Sequence, residues 1–204
     1  EVGYSLLPIA LVVGLLVGLI LLEPDFGTSM SLALIAGAMI FAAGLSYVYL
    51  ALLGASLVPL ALFIMLRAGY RRRRLFAFMD PWKDAQGSGF QLIQSLIAVG
   101  TGGVTGKGLM QGVQKLFFLP EPHSDFIYAV ISEELGMVGA TAVLLCFLLI
   151  MWRGLRTASR APDTFGAFLA LGLTTMISVQ ALVNISVVLG MFPTKGIPLP
   201  FEIG

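Results

Sequence analysis

Phe117-Phe118-Leu119-Pro120-Glu121-Pro122-His123-Ser124-Asp125-Phe126-Ile127-Tyr128 leads, a few residues on, into Glu133-Glu134-Leu135-Gly136 and then an apolar run to Trp152. A polar loop holding the only histidine and an acid turns directly into an apolar helix with two more carboxylates in its first turns. From about Phe126 to Trp152 that helix is long enough to cross a hydrocarbon core of roughly 30 Å. Polar chemistry meets a membrane here. Of the 204 residues 58% are hydrophobic and 11% charged, and the mean hydropathy of +0.96 lies far above that of a soluble domain. The chain reads as an integral membrane protein, and as all-α, because the lipid core excludes open sheet edges.

Composition also excludes classes. The net charge is +1, and the twelve basic residues are clustered rather than spread over a soluble face, so no nucleic-acid partner is indicated. Cys146, the sole cysteine, lies in an apolar run and can form no intrachain disulfide. With a single histidine and a single cysteine, a structural zinc site is not expected. The chain opens on Glu1 without the regions of a signal peptide, and it is read as part of a longer protein.

Working outward from the opening stretch, a first span is expected over Leu6 to Leu22, ending at Glu23-Pro24-Asp25. So short a bend returns the second span, about Thr28 to Leu45, antiparallel beside it, with Gly27 and Ser29 allowing close approach. Tyr47 and Tyr49 read as interfacial anchors before a third span, Leu50 to Leu66. The fourth is Phe126 to Trp152, and a short loop with Arg153, Arg156 and Arg160 precedes a fifth, about Phe165 to Leu189. The expected fold is one transmembrane helical bundle of about five spans over residues 1–204. The three-arginine loop is taken as cytoplasmic, which puts the large loop, residues 67–125, outside.

That large loop is the candidate site, since a connection of this size without an apolar span is usually functional. It holds Arg67, the run Arg71-Arg72-Arg73-Arg74, Asp80-Pro81-Trp82-Lys83-Asp84 and Gly87-Ser88-Gly89. From Phe90 to Val99, Leu92, Ile93, Leu96 and Ile97 recur at helical spacing while Gln91, Gln94 and Ser95 share the other face, which predicts a helix lying in the membrane surface. A glycine-rich segment, Gly100 to Gly112, and Gln114-Lys115 follow.

Each candidate has two readings. Asp125 follows Pro122 and Ser124, read as an N-cap, so its carboxylate is expected in the first helical turn, where the dipole favours negative charge, and it would serve as a base only if burial offset that dipole. Glu133 and Glu134 fall roughly 12 to 14 Å deeper on a regular helix, at angles that keep them from both sharing the Asp125 face. Such groups face a polar cavity or an internal partner rather than lipid. Gly136 and Ala140 are expected to form a helix-packing face. The run Arg71 to Arg74 is either a solvated or lipid-contacting flank or a holder of pyrophosphate, and Lys107, Lys115 and Lys195 are weaker candidates of the same kind. Gly106-Lys107 fails the nucleotide-loop pattern at both ends. His123, Ser124 and Asp125, adjacent in sequence, do not form the spatial relay of a triad.

Five segments together resemble the SEDS family (shape, elongation, division, sporulation) of FtsW and RodA type peptidoglycan polymerases. They are Glu23-Pro24-Asp25-Phe26-Gly27-Thr28, Asp80-Pro81-Trp82 with Gly87-Ser88-Gly89-Phe90-Gln91, Leu119-Pro120-Glu121 with His123-Ser124-Asp125-Phe126-Ile127, Glu133-Glu134-Leu135-Gly136, and Pro193-Thr194-Lys195-Gly196. Trp82, Phe90 and Gln114-Lys115 lean toward the division-type FtsW. The resemblance covers the fifth to ninth of the family's ten spans. After Phe201 the family's Ile-Ser-Tyr-Gly-Gly-Ser-Ser gives way to Glu202-Ile203-Gly204, and the fragment alone is expected to be inactive.

The resemblance implies polymerisation of lipid II, with inversion at the anomeric carbon and loss of undecaprenyl pyrophosphate, in the bacterial inner membrane. By matching position it implies Asp125 as general base and places Lys195 in the Pro-Thr-Lys-Gly motif; His123 is taken as a further substrate contact, and Glu133 and Glu134 as supporting residues. A class B penicillin-binding protein and other division or elongation proteins are the implied partners. It leaves open a divalent cation at the pyrophosphate, and it leaves lipid II translocation, or service as a scaffold for the transpeptidase, as alternative activities.

Overall fold

The computed structural model describes residues 2–23, 25–49, 51–52, 55, 59, 69–87, 89–112, 125–193 and 198–201. Six α-helices have both bounds among them: α1 (Val2–Leu22), α2 (Phe26–Ala42), α3 (Gly69–Met79), α4 (Phe90–Gly102), α5 (Ile127–Ser159) and α6 (Thr164–Val188). A 3-10 turn, Pro81–Asp84, lies between α3 and α4, and no strand occurs among the described residues. The all-helical expectation holds. α5 and α6 are long and apolar enough to cross a membrane, and α1 and α2 contribute the shorter apolar stretches Leu7–Leu22 and Gly27–Ala42. The expected third span, Leu50 to Leu66, lies outside the described residues apart from isolated positions.

The chain divides into two compact units. In the first, Glu1–Leu52 with Met151–Val179, α1 and α2 pack on each other across the short link around Asp25. Asp25 begins α2 by capping it: its carboxylate accepts the amides of Gly27 and Thr28, each at 3.1 Å, and the Thr28 hydroxyl at 2.5 Å. A helix start leaves four amides without intrahelical partners, and one side chain here meets two of them. Asp25→Ala is expected to cost about 1 kcal/mol, read as a lower melting temperature in detergent without change in helix content. Arg153 and Arg156 lie on α5 rather than in a loop, which starts only after Ser159. Arg156, in the last turn of α5, then serves the helix end, where the dipole favours positive charge.

In the second unit, Leu53–Ile150 with Gln180–Gly204, the apolar core gathers Ala98 of α4, Phe126, Tyr128 and Ala129 at the start of α5, Ala181, Ile185 and Val188 near the end of α6, and Leu199. α4 is therefore held by protein on its buried face, Leu92, Ile93, Ser95 and Ala98. Ser95, expected on the outer polar face, is fully buried and donates to the Val188 carbonyl at 2.8 Å. Leu96, expected on the apolar face, is exposed. A serine hydroxyl can be buried once it finds a carbonyl left over at a neighbouring helix end, which hydrophobic spacing alone does not register.

α6 ends in a Schellman arrangement. Gly190, at φ 70°, and Met191 donate to the carbonyls of Val187 and Ser186. This closes the helix and releases the chain toward Pro193, after which Leu199 re-enters the core and Phe201 stacks on Phe147.

Candidate functional site

Phe126 is 3% exposed and fastens the start of α5 into the core, so its neighbour Asp125 is half-buried at a fixed place. Asn184, buried on α6, donates from Nδ2 to the Asp125 carbonyl at 2.8 Å and holds that backbone from a second side. Asp125 lies two residues ahead of the first helical residue, not within the first turn as expected. The amides of Ala129 and Val130 turn instead to the Phe126 carbonyl. Sequence reasoning missed Asn184. Its signal was an amide side chain inside an apolar span, where a polar group needs a partner.

α5 is not one regular helix. At Gly136 (φ 66°, ψ −164°) it breaks, in backbone space that is essentially glycine-only. The glycine-rich segment after α4 fills the gap. Lys107 and Gly108 donate from their amides to the carbonyls of Glu133 and Glu134, each at 3.0 Å, while Met137 and Val138 donate to Gly103 at 2.9 Å and Val104 at 3.2 Å. A broken helix frees backbone groups that must be met inside protein, and this ladder meets them. The approach is close enough that a Cβ on Gly102, Gly106 or Gly136 would strike the backbone of the facing segment. Of the expected Gly136–Ala140 packing face, Gly136 instead meets the glycine segment, while Ala140 packs against the core and its carbonyl accepts the Tyr128 hydroxyl at 3.2 Å.

The ladder brings both glutamates to the glycine segment. Glu133 is fully buried and pairs with Lys107, Nζ to Oε1 at 2.7 Å. Glu134, 8% exposed, accepts the amide of Met110 at 3.0 Å. Of the two sequence alternatives, an internal ion pair is realised at Glu133. Lys107 accordingly spends its ammonium on a carboxylate of this chain. No group of three or more His, Cys, Asp or Glu side chains among the described residues is placed to hold a metal ion.

The arginine run falls within α3, where successive positions are about 100° apart, so the four positions span the helix rather than share one face. Arg73 is exposed. The side chains of Arg71, Arg72 and Arg74, and all of Lys115, His123 and Lys195, lie outside the described residues.

Fold and site together define an all-helical chain with helices of membrane-crossing length, carrying a half-buried aspartate at one helix start. A family model described as "Cell cycle protein", for FtsW, RodA and SpoVE, matches residues 3–202. The chain belongs to that family, whose members are membrane proteins. It is 43% identical over 195 residues to a probable peptidoglycan glycosyltransferase FtsW of Geobacter sulfurreducens, covering 96% of this chain and 52% of that protein. It is 48% identical over 185 residues to stage V sporulation protein E of Bacillus subtilis, covering 90% and 50%. Among solved structures it resembles a chain from a study of how a peptidoglycan synthase complex coordinates polymerization and crosslinking. That match has a TM-score of 0.73 and 32% identity, covering 94% of this chain and 53% of the other. The chain thus spans about half the length of the curated relatives it matches.

Proposed function

We propose that this protein is a peptidoglycan glycosyltransferase of the bacterial inner membrane that polymerises lipid II, with Asp125 as its general base. The observation that carries the reading is the 43% identity to a probable peptidoglycan glycosyltransferase across 96% of the chain. The placement of Asp125 between the Phe126 anchor and the Asn184 hydrogen bond supports it. The acceptor sugar hydroxyl attacks the anomeric carbon of the donor and gives its proton to Asp125. The new glycosidic C–O bond forms as the bond to undecaprenyl pyrophosphate breaks, with inversion. Pyrophosphate is a good leaving group, so a second carboxylic acid is not required, unlike in many glycosidases.

The five-span bundle with its large loop outside belongs to the same reading. So do Lys195, His123, Lys115 and the α3 arginines as substrate contacts, and a class B penicillin-binding protein as partner. A neighbour taken from a peptidoglycan synthase complex supports the last of these. The translocation alternative rests on deep charges such as Glu133 and Glu134, which suit transport as well as structure; here both are engaged by the glycine segment.

The test is polymerisation of labelled lipid II by the full-length protein with its transpeptidase, run beside a lipid II translocation assay for Asp125→Ala. Loss of glycan with translocation retained supports the enzyme. Full glycan yield from Asp125→Ala would point to a scaffold and reject it. Asn184→Ala is expected to lower turnover several-fold and to cost about 1 kcal/mol of stability, whereas Asn184→Gln should recover little, its amide being one methylene too far. Turnover unchanged by either variant would show that the grip on the Asp125 carbonyl is not needed.

A further inference from the structure

The pairing of Lys107 with Glu133 has no part in the chemistry above, yet it joins two segments that both lead to Asp125. Toward the C-terminus, the glycine segment continues from Gly112 through the residues bearing Lys115 and His123 to Asp125. Toward the N-terminus from Glu133, two turns of α5 lead back to the same residue. Glu133 is thus tied to the glycine segment on one side and, through the first turns of α5, to Asp125 on the other.

We propose that Lys107, acting through Glu133 and with Glu134 beside it, is a positioning residue: it latches the glycine segment to the first turns of α5 and so sets the geometry around Asp125. The inference rests on the reading of Asp125 as base. Three observations carry it. The ammonium lies 2.7 Å from a carboxylate with no solvent exposure, while the Lys107 side chain keeps 34% of its own. A buried carboxylate is tolerable only with a close cation, so the attraction acts between the segments rather than along the surface. Glu134 adds a second clasp, on the amide of Met110, whose backbone is held at φ 64°, a region that non-glycine residues occupy only when their surroundings impose it. Third, Gly112 sits against both carboxylates: a Cβ there would lie 3.0 Å from Glu133 Oε2 and 3.0 Å from Glu134 Oε1. Loop and acids are therefore packed as one piece up to the point where the loop departs.

The same geometry sets Lys107 apart from the arginines and Lys195 as a pyrophosphate ligand. Its ammonium is already held by the buried Glu133 carboxylate.

The test uses the full-length protein with its transpeptidase and labelled lipid II. It compares native protein, Lys107→Arg, Lys107→Met, Glu133→Gln and the double variant Lys107→Met/Glu133→Met, with melting curves on the same samples. Each neutralising single variant is expected to lower kcat about tenfold with KM within about twofold. The double variant, which removes both charges together, should recover most of kcat, because breaking a buried pair from one side costs more than replacing both partners by apolar groups. Lys107→Arg should stay near native. A raised KM with unchanged kcat, and no recovery in the double variant, would make Lys107 a substrate ligand and overturn the proposal. So would lowered melting temperatures with kcat and KM untouched, which would leave the pair a matter of stability alone. Should a single variant not fold, the comparison of Lys107→Arg and the double variant with native protein still decides. Asp125→Asn is run alongside: glycan made at the native rate by that variant rejects the base assignment, while the coupling between Lys107 and Glu133 in kcat is judged separately.

Discussion

Asp125→Asn is expected to reduce glycan synthesis by about 10² to 10⁴-fold, the range over which a positioned general base accelerates proton transfer. The substitution keeps the shape of the side chain and leaves intact the two features that fix this backbone, the buried Phe126 ring and the hydrogen bond from Asn184. What it removes is the capacity to accept a proton at neutral pH, since an amide oxygen is far less basic than a carboxylate. Melting temperature and transpeptidase binding should therefore stay near native while kcat collapses. Asp125→Glu should fall between, because it restores a carboxylate but displaces it by about one bond length, enough to spoil a near-attack geometry. If Asp125→Asn polymerises at the native rate, the carboxylate serves only the start of α5, and the base must be sought elsewhere.

The second large effect is on folding. Gly136→Ala is expected to prevent accumulation of folded protein, or to lower its melting temperature severely, with activity lost alongside. Two costs add. The backbone at φ 66° and ψ −164° lies in a region worth about 1–3 kcal/mol of strain to any residue with a side chain. The new methyl would also meet the amide of Gly106 and the carbonyl of Val104, groups of a facing backbone that cannot rotate aside. Opening the two segments of this ladder to make room would sacrifice its four hydrogen bonds and separate Lys107 from Glu133. Gly100→Ala in α4 is the control, because a Cβ there meets nothing within 4 Å; it should be neutral or slightly stabilising, alanine being the better helix former. Equal tolerance of both substitutions, judged by yield and by melting, would mean that α5 can run straight through Gly136.

Both predictions depend on features that were unequally visible in the sequence. Both ends of α6 and the start of α5 could be read to within a residue, because some twenty consecutive apolar residues leave few alternatives to a helix long enough for a bilayer, whereas α5 runs on past the expected Trp152 to Ser159. The turn at Asp25 was legible for a similar reason, since a proline and a short acid beside an apolar run end one helix and begin another. Asp125 could be singled out by its place between a polar loop and an apolar helix, and by resemblance to a family. Its position ahead of the first turn, rather than inside it, was off by the margin usual for helix ends.

The break at Gly136 was beyond any periodic reading, because Glu133-Glu134-Leu135-Gly136 continues a helical pattern equally well and a lone glycine is tolerated in a helix. What breaks the helix is a partner some thirty residues earlier in the chain, a glycine segment thin enough to lie against it backbone to backbone. For the same reason sequence spacing grouped Lys107 with cations awaiting a phosphate, when its neighbour in space is a buried glutamate. Ser95 and Asn184 likewise took their roles from carbonyls on other elements, at Val188 and Asp125. Local pattern and the cost of bare backbone in lipid were enough, from the sequence alone, to make this an all-helical membrane protein, and resemblance to a family pointed to Asp125. Which polar groups meet was decided only by tertiary structure, because each hydrogen bond and ion pair is set by the distance between elements, and sequence spacing carries no measure of it.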